Sequence, residues 1–247
     1  MNVNLELTDH CNIACGMCSQ SMRDEAHDGP KRFMDFETWR RSLLGLRGLP
    51  DVALCPHWLG EPTLHPRFDA FVEYAFAING RNSIFRTFKL HTNAVILPAE
   101  RARLLARLAR ASDQAPDTFQ AIHLSIDALS PAVYARVKGK DRGDLVTRNV
   151  DRLLELRGAQ TWPVAHVSFV VQEHNRHEAR AFVERWGKRL DALGRPWRLT
   201  SDWPGFDRDA IYLRRLNAGD QARADAWHAE ACRAVGLPVS GRSEGSF

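Results

Sequence analysis

The chain has 247 residues, 44% of them hydrophobic, enough for one large domain or two small ones with a substantial core. No apolar run approaches the roughly 20 residues that span a bilayer, glycine and proline show no repeat, and no secretory signal opens the chain. Membrane and fibrous proteins are excluded and a cytoplasmic location is expected, while a formal net charge of +4 demands no nucleic-acid partner.

Short β-branched or apolar runs alternate with amphipathic ones. In chain order, strands are predicted near residues 3–8, 52–59, 84–92, 121–127, 164–172 and 197–202. Helices are predicted over Asp35–Leu46, Pro66–Ala77, Pro98–Ala111, Asp144–Leu156, Arg176–Leu193 and Ala218–Val235. Asp35, ahead of Glu37 and the apolar series Trp39, Leu43 and Leu44, marks a helix start, Pro98 suits a first helical turn, and Gly158 can end the fourth helix. Arg101, Arg103, Arg107 and Arg110 read as a solvated helix face. Parallel strands joined by right-handed crossovers curl around one face, so the expected fold is α/β, a partial (β/α)6 TIM-like barrel. It occupies residues 1–205, followed by a short helical C-terminal extension, 206–239, and a flexible tail, 240–247.

Alternate strand positions point to opposite faces of a sheet. One parity is apolar: Val3, Leu5, Leu7; Leu54, Trp58; Phe88, Leu90; Ile122, Leu124, Ile126; Val167, Phe169, Val171. These should pack under the helices. The other parity carries Asn4, Glu6, Thr8, His57, Glu61, Lys89, His91, Asn93, His123, Ser125, Asp127, His166, Ser168 and Gln172. Buried polar groups without partners cost about 1–3 kcal/mol each, so this face is expected to line a wide, wet hollow.

Three of the five cysteines, Cys11, Cys15 and Cys18, follow the first strand, at the carboxyl end of the barrel where such folds keep their chemistry. Three thiolates on one loop can hold a [4Fe–4S] cluster with one iron free of protein thiolate, or a zinc ion with His10 as fourth ligand. Cys55 and Cys232 stand alone and read as inert buried thiols.

Leu7-Thr8-Asp9-His10-Cys11 and the CxxxCxxC spacing resemble the radical S-adenosylmethionine (SAM) enzymes. Met34-Asp35-Phe36-Glu37 is similar to the start of that family's first helix, and Leu59-Gly60-Glu61-Pro62 to its GGEP motif. His91-Thr92-Asn93-Ala94 and Ser125-Ile126-Asp127-Ala128 are similar to the motifs that close its third and fourth strands. Met17 replaces a commonly aromatic residue and Leu59 the first glycine of GGEP, and neither change removes a cluster ligand. The resemblance implies one [4Fe–4S] cluster on Cys11, Cys15 and Cys18, with SAM on the open iron. It further implies SAM contacts from Met17, Gly60, Glu61, Pro62, Asn93, Ser125, Asp127 and Gln172. An electron donor such as flavodoxin or ferredoxin would drive reductive cleavage of SAM to a 5′-deoxyadenosyl radical, which abstracts hydrogen from the substrate.

His57, Lys89, His91, His123 and His166 share the inward parity and are candidate substrate residues, pointing to an anionic or richly polar small molecule. A peptide- or protein-modifying maturase is the alternative, and a non-catalytic iron–sulfur or zinc regulatory module is an alternative of another class. Ser201-Asp202-Trp203-Pro204-Gly205 and Cys232 resemble the approach to a SPASM extension. No cysteine follows Cys232, so that extension is expected to be missing or truncated.

Overall fold

A computed structural model describes residues 1–19, 32–113 and 119–239. Among the described residues seven strands form one sheet: β1 (Asn2–Asn4), β2 (Ala53–Cys55), β3 (Thr87–Thr92), β4 (Phe119–Ser125), β5 (Val164–Val170), β6 (Trp197–Thr200) and β7 (Asp209–Arg214). Their order is β1-β2-β3-β4-β5-β7-β6 and every neighbouring pair is parallel. The helices are α1 (Phe36–Gly45), α2 (Phe68–Asn82), α3 (Ala99–Asp113), α4 (Pro131–Lys138), α5 (Gly143–Arg157), α6 (Ala179–Ala192) and α7 (Gln221–Ala234). None is long and apolar enough to cross a membrane. Among the described residues β1 and β6 each pair on one side and form the sheet's edges, in the partial-barrel manner expected.

The apolar parity does bury itself under the helices. Leu54, Phe88, Leu90, Leu124, Val167, Phe169, Ile211 and Leu213 are fully buried and join Trp39, Phe71, Leu105, Leu153 and Phe182 in one core. Each large side chain removed from water contributes on the order of 1.5–3 kcal/mol. Trp58 is the exception. β2 ends at Cys55, so Trp58 lies in the following loop and is 59% exposed.

Local signals set the helix ends. Asp35 accepts the Thr38 N–H at 2.9 Å and its hydroxyl at 2.6 Å, capping α1 at the helix start expected. α4 falls where the sequence reading left a gap, although Ser130 caps it, Pro131 opens it, and Gly139 closes it with φ +68. Arg101 is a second correction. Instead of facing solvent it is buried, bonding Asp69 at 2.7 Å and the carbonyls of Thr63 and Ile96 at 2.9 and 3.0 Å.

The expectation of a purely helical segment after residue 205 is also corrected. Residues 209–214 form β7, which takes the sixth place in the sheet and displaces β6 to the edge. A buried ion pair anchors it: both oxygens of Asp209 accept from the Arg157 guanidinium at 2.7 Å, and Oδ1 also accepts the Ala165 N–H. Asp209 thereby joins the starts of β5 and β7 to the end of α5. The step from β6 back to β7 runs opposite to the earlier crossovers, so a right-handed connection must pass over the concave face. Residues 201–208 do so, and Trp203 stacks on His123 with ring centroids 5.5 Å apart. The tail expected at 240–247 lies outside the described residues.

Candidate active site at the carboxyl end of the sheet

The cysteine loop sits on the end of α4. Ala14 N–H donates to the Lys138 carbonyl at 3.0 Å, and Cys18 N–H to the Cys15 carbonyl at 3.0 Å. Gly139 serves both its left-handed φ and this contact, since a β-carbon there would overlap the Ala14 carbonyl oxygen. Cys15 is buried, and Cys11 and Cys18 are half-buried. Burial, then the Glu61 charge, pushes the Cys11 thiol up to about 12. Cys15 is raised by burial, against the opposing pull of Lys138. Such thiols keep their protons until a metal displaces them.

The donor set distinguishes the two metal readings. Among the described residues no three His, Cys, Asp or Glu side chains converge to hold a single metal ion. His10, which a zinc site would need, is buried with Nε2 3.4 Å from Asp9. An iron–sulfur cube takes each thiolate on a different iron and needs no convergence on one point, so the three-thiol loop fits a cluster.

Around this loop the strand ends carry a closed polar network. Glu61 is buried and accepts from the Thr63 N–H and hydroxyl, the Thr92 hydroxyl at 2.8 Å and the Asn93 N–H at 2.7 Å. Its pKa is raised by burial, which outweighs these bonds. Leu59 and Gly60 donate their N–H groups to Glu6 at 2.6 and 2.7 Å. A β-carbon at Gly60 would overlap the Thr8 carbonyl, so glycine is required there. Pro62 is buried and opens a short 3-10 turn. Asn93 points its amide at Cys11 Sγ, 3.6 Å away, and at Asn12 Oδ1, 2.7 Å away.

Asp127 is fully buried, with φ +61, a conformation rare outside glycine. One oxygen accepts from Ser125 Oγ at 2.8 Å and forms an ion pair with Lys138 Nζ; the other accepts the Val170 N–H at 2.7 Å. Lys138 is itself buried, and its charge acts on Cys11 and Cys15. Gln172 Nε2 lies 3.1 Å from Met17 Sδ, which brings those two candidates together.

Below the rim, the inward histidines form a row of rings. His57 stacks on His91 with centroids 5.3 Å apart, and His91 on His123 at 4.8 Å. Trp203 lies parallel to His123 and keeps 42% of its surface exposed. Lys89 Nζ bonds Asn2 Oδ1 at 2.8 Å and lies 6.0 Å from the Trp203 ring and 5.9 Å from Phe206. His166 bonds the Gly205 carbonyl at 3.0 Å. Burial lowers all four imidazoles, His57 and His166 to about 4 and His91 and His123 well below 6.5, so they are neutral at pH 7. The expected hollow is therefore narrowed by the aromatic side chains of residues 201–208.

Lys138, Trp203 and Arg214 escape a reading of the sequence. Lys138 lies in a stretch to which the sequence reading gave no element, and Trp203 and Arg214 reach the inner face only because β7 enters the sheet. The Ser-Pro start and Gly139 end of α4 were the signal available for Lys138. Cys55 is buried, its thiol pushed up to about 11 by burial. Cys232 is buried on α7, 3.7 Å from His228 Nε2.

Residues 5–185 match the sequence profile of the radical SAM superfamily. The GTP 3′,8-cyclase of Chlorobaculum tepidum is 27% identical over 183 residues, 74% of this chain and 48% of that protein. The S-adenosylmethionine-dependent nucleotide dehydratase of Selenomonas ruminantium is 28% identical over 129 residues, 52% of this chain and 40% of that protein. A Pyrococcus furiosus protein named tungsten-containing aldehyde ferredoxin oxidoreductase cofactor-modifying protein is 27% identical over 157 residues, covering 62% and 38%. The chain spans less than half the length of these relatives. Among solved structures, native anSMEcpe with bound AdoMet superposes with a TM-score of 0.61 at 14% identity, over 95% of this chain and 59% of that one. The FeFe-hydrogenase maturase HydG from Carboxydothermus hydrogenoformans gives 0.57 at 14%, over 95% and 51%. With a profile covering most of its length and an all-parallel sheet of the same architecture, the chain belongs to the radical SAM superfamily of enzymes, whose members bind a [4Fe–4S] cluster and SAM.

Proposed function

We propose that this protein reductively cleaves SAM and abstracts hydrogen from a polar small molecule held in the hollow of the sheet. The observation that carries this reading is the seating of the three-thiol loop on the end of α4, with the Lys138 ammonium held beneath it by Asp127 and Ser125. When bound, the cluster supplies the electron that breaks the SAM sulfonium bond. Cys11, Cys15 and Cys18 hold it, and the Lys138 charge offsets part of the negative charge that three thiolates bring to a buried place. Ser125 and Asp127 then serve SAM indirectly, as the groups that position Lys138.

Glu61 Oε2 accepts one bond from Asn93 and keeps capacity for the SAM ammonium, beside the backbone of Gly60 and Pro62. Asn93 orients Cys11, and Met17 with Gln172 provides a polarizable surface for the adenine ring. His57, Lys89, His91 and His123 face the substrate. The names of two curated relatives specify nucleotides, small polyanionic molecules, which supports this substrate class over a peptide. Residues 201–205 are assigned to the substrate chamber and not to a SPASM-type cluster site, because Cys232 is fully buried within α7 against His228. A flavodoxin or ferredoxin is the proposed electron donor, in the cytoplasm.

Anaerobic reconstitution followed by dithionite and SAM tests the reading. The wild-type protein is expected to be brown and to release 5′-deoxyadenosine, and Cys11→Ala, Cys15→Ala and Cys18→Ala to lose both properties. A colourless zinc protein, or a cysteine variant with wild-type iron and deoxyadenosine output, overturns it.

A further inference from the structure

Among the described residues, His123 Nδ1 and Ser168 Oγ are buried polar atoms on the concave face without a hydrogen-bond partner. His123 is 4% exposed and Ser168 is 0% exposed, so bulk solvent does not satisfy them. Each such orphan costs about 1–3 kcal/mol, and natural interiors seldom keep one without a ligand or a bound water.

Strand register places the two together. His123 pairs with His166 and Ser125 with Ser168, so Ser168 stands on the neighbouring strand one row nearer the rim than His123. Ser168 pairs with Tyr212, and two residues further Val170 pairs with Arg214. Arg214 therefore shares the concave face, one row above Tyr212. It is exposed, its charge acts on His57, His91 and His123, and among the described residues it has no carboxylate partner.

The charge around this position is mainly positive, with the Asp202 carboxylate, which acts on Tyr212, as the counterweight. Lys89 enters the same hollow, and among the described residues its hydrogen-bond partner is the neutral amide of Asn2. Three other carboxylates are committed elsewhere: Glu6 to the Leu59 and Gly60 amides, Asp207 to Arg198 and Arg208, and Asp209 to Arg157. Unpaired cations beside orphaned neutral polar groups are the composition of an oxyanion site, where charge-assisted bonds give both strength and direction. A neutral imidazole can place its proton on Nδ1 and donate it, and a serine hydroxyl donates as readily.

We propose that His123, Ser168 and Arg214 form the recognition site for an oxyanion of the substrate, a phosphate or a carboxylate, with Trp203 as the adjoining apolar surface for its carbon skeleton. The proposal rests on the reading of the hollow as a substrate chamber. Arg214 is then the residue that selects anionic from neutral substrates.

The test uses anaerobically reconstituted protein and follows its unfolding temperature against inorganic phosphate, succinate and chloride at matched ionic strength, because a ligand bound only to the folded state raises that temperature. Phosphate or succinate is expected to raise it above the chloride value, and whichever acts more strongly identifies the oxyanion. Arg214→Gln is expected to weaken that anion's apparent affinity at least tenfold while keeping the wild-type cluster spectrum. Ser168→Ala is expected to unfold at a higher temperature without anion, since it removes an unsatisfied hydroxyl, and to show a smaller rise with anion. No response beyond that to chloride, an undiminished response in Arg214→Gln, or a Ser168→Ala protein that is less stable and equally responsive overturns the proposal. Deoxyadenosine formation by the wild-type protein tests the parent reading separately. A protein that cleaves SAM but ignores both oxyanions sinks only this proposal, and one that binds them without cleaving SAM sinks the parent reading.

Discussion

At the rim of the sheet, Asp127 and Glu61 are buried with every carboxylate oxygen bonded, whereas Ser168, level with Ser125 on the next strand, and His123, two positions lower, are just as buried and keep atoms with no partner. The rim spends its polar groups on the protein itself: Asp127 holds Lys138, Asn175 holds the Asp127 and Val170 carbonyls, and Glu178 holds the Leu129 and Ser130 amides. Such satisfied networks rigidify whatever rests on them, here the cysteine loop. The floor leaves its groups open and mostly neutral. Carboxylates bonded within the protein on one side and orphaned neutral groups on the other separate a scaffold for the cofactors from a surface open to a ligand.

The sharpest way to break this contrast is to unpair the rim. Asp127→Asn strands the Lys138 ammonium in the interior and is expected to cost about 3–5 kcal/mol, read as a lower urea midpoint. Replacing Lys138 by Met in the same chain should recover most of the loss. If Asp127→Asn alone unfolds like the wild type, the rim is not the rigid layer described.

Acid probes the floor. The unfolded histidine titrates near 6.5 and folded His166 at about 4, so between those values the unfolded chain takes up a proton that the folded chain refuses. The His166 contribution should therefore fall away as pH drops from about 6.5 to about 4, by about 3 kcal/mol. His166→Gln should flatten the profile by about that amount, and an identical profile would refute the assignment.

Gly60→Ala sharpens the rim side, because the added methyl meets the Thr8 carbonyl and the loop must shift. An overpacking cost of about 1–3 kcal/mol and a lower iron content on reconstitution are expected. Ser130→Ala has the smallest effect, about 1 kcal/mol, through loss of the cap on the helix that delivers Lys138. Its measure is the unfolding midpoint, with iron loading unchanged.

Much of this arrangement was legible in the chain itself. The cysteine spacing, the Gly60-Glu61 motif, the helix start at Asp35 and the two-residue alternation of Leu124 with His123 are local, so neighbouring residues carry the information. Arg101 misled because a helix face of arginines looks solvated until the loop it clamps is in place. β7 misled for a related reason: Asp209–Arg214 follows Pro204 and Gly205 and is short, and its membership of the sheet depends on Arg157, distant in sequence.

The sequence alone therefore determined the α/β class, the faces of the strands and the place of the three thiols, since periodicity and spacing act over a few bonds. Only the tertiary structure decided that Trp203 covers the histidine row, that Lys138 lies under the cysteine loop, and that Arg214 shares the concave face with Ser168 and His123. Those meetings follow from strand order and register, which are settled by closing long loops and pairing buried charges across the chain, and no local pattern encodes them.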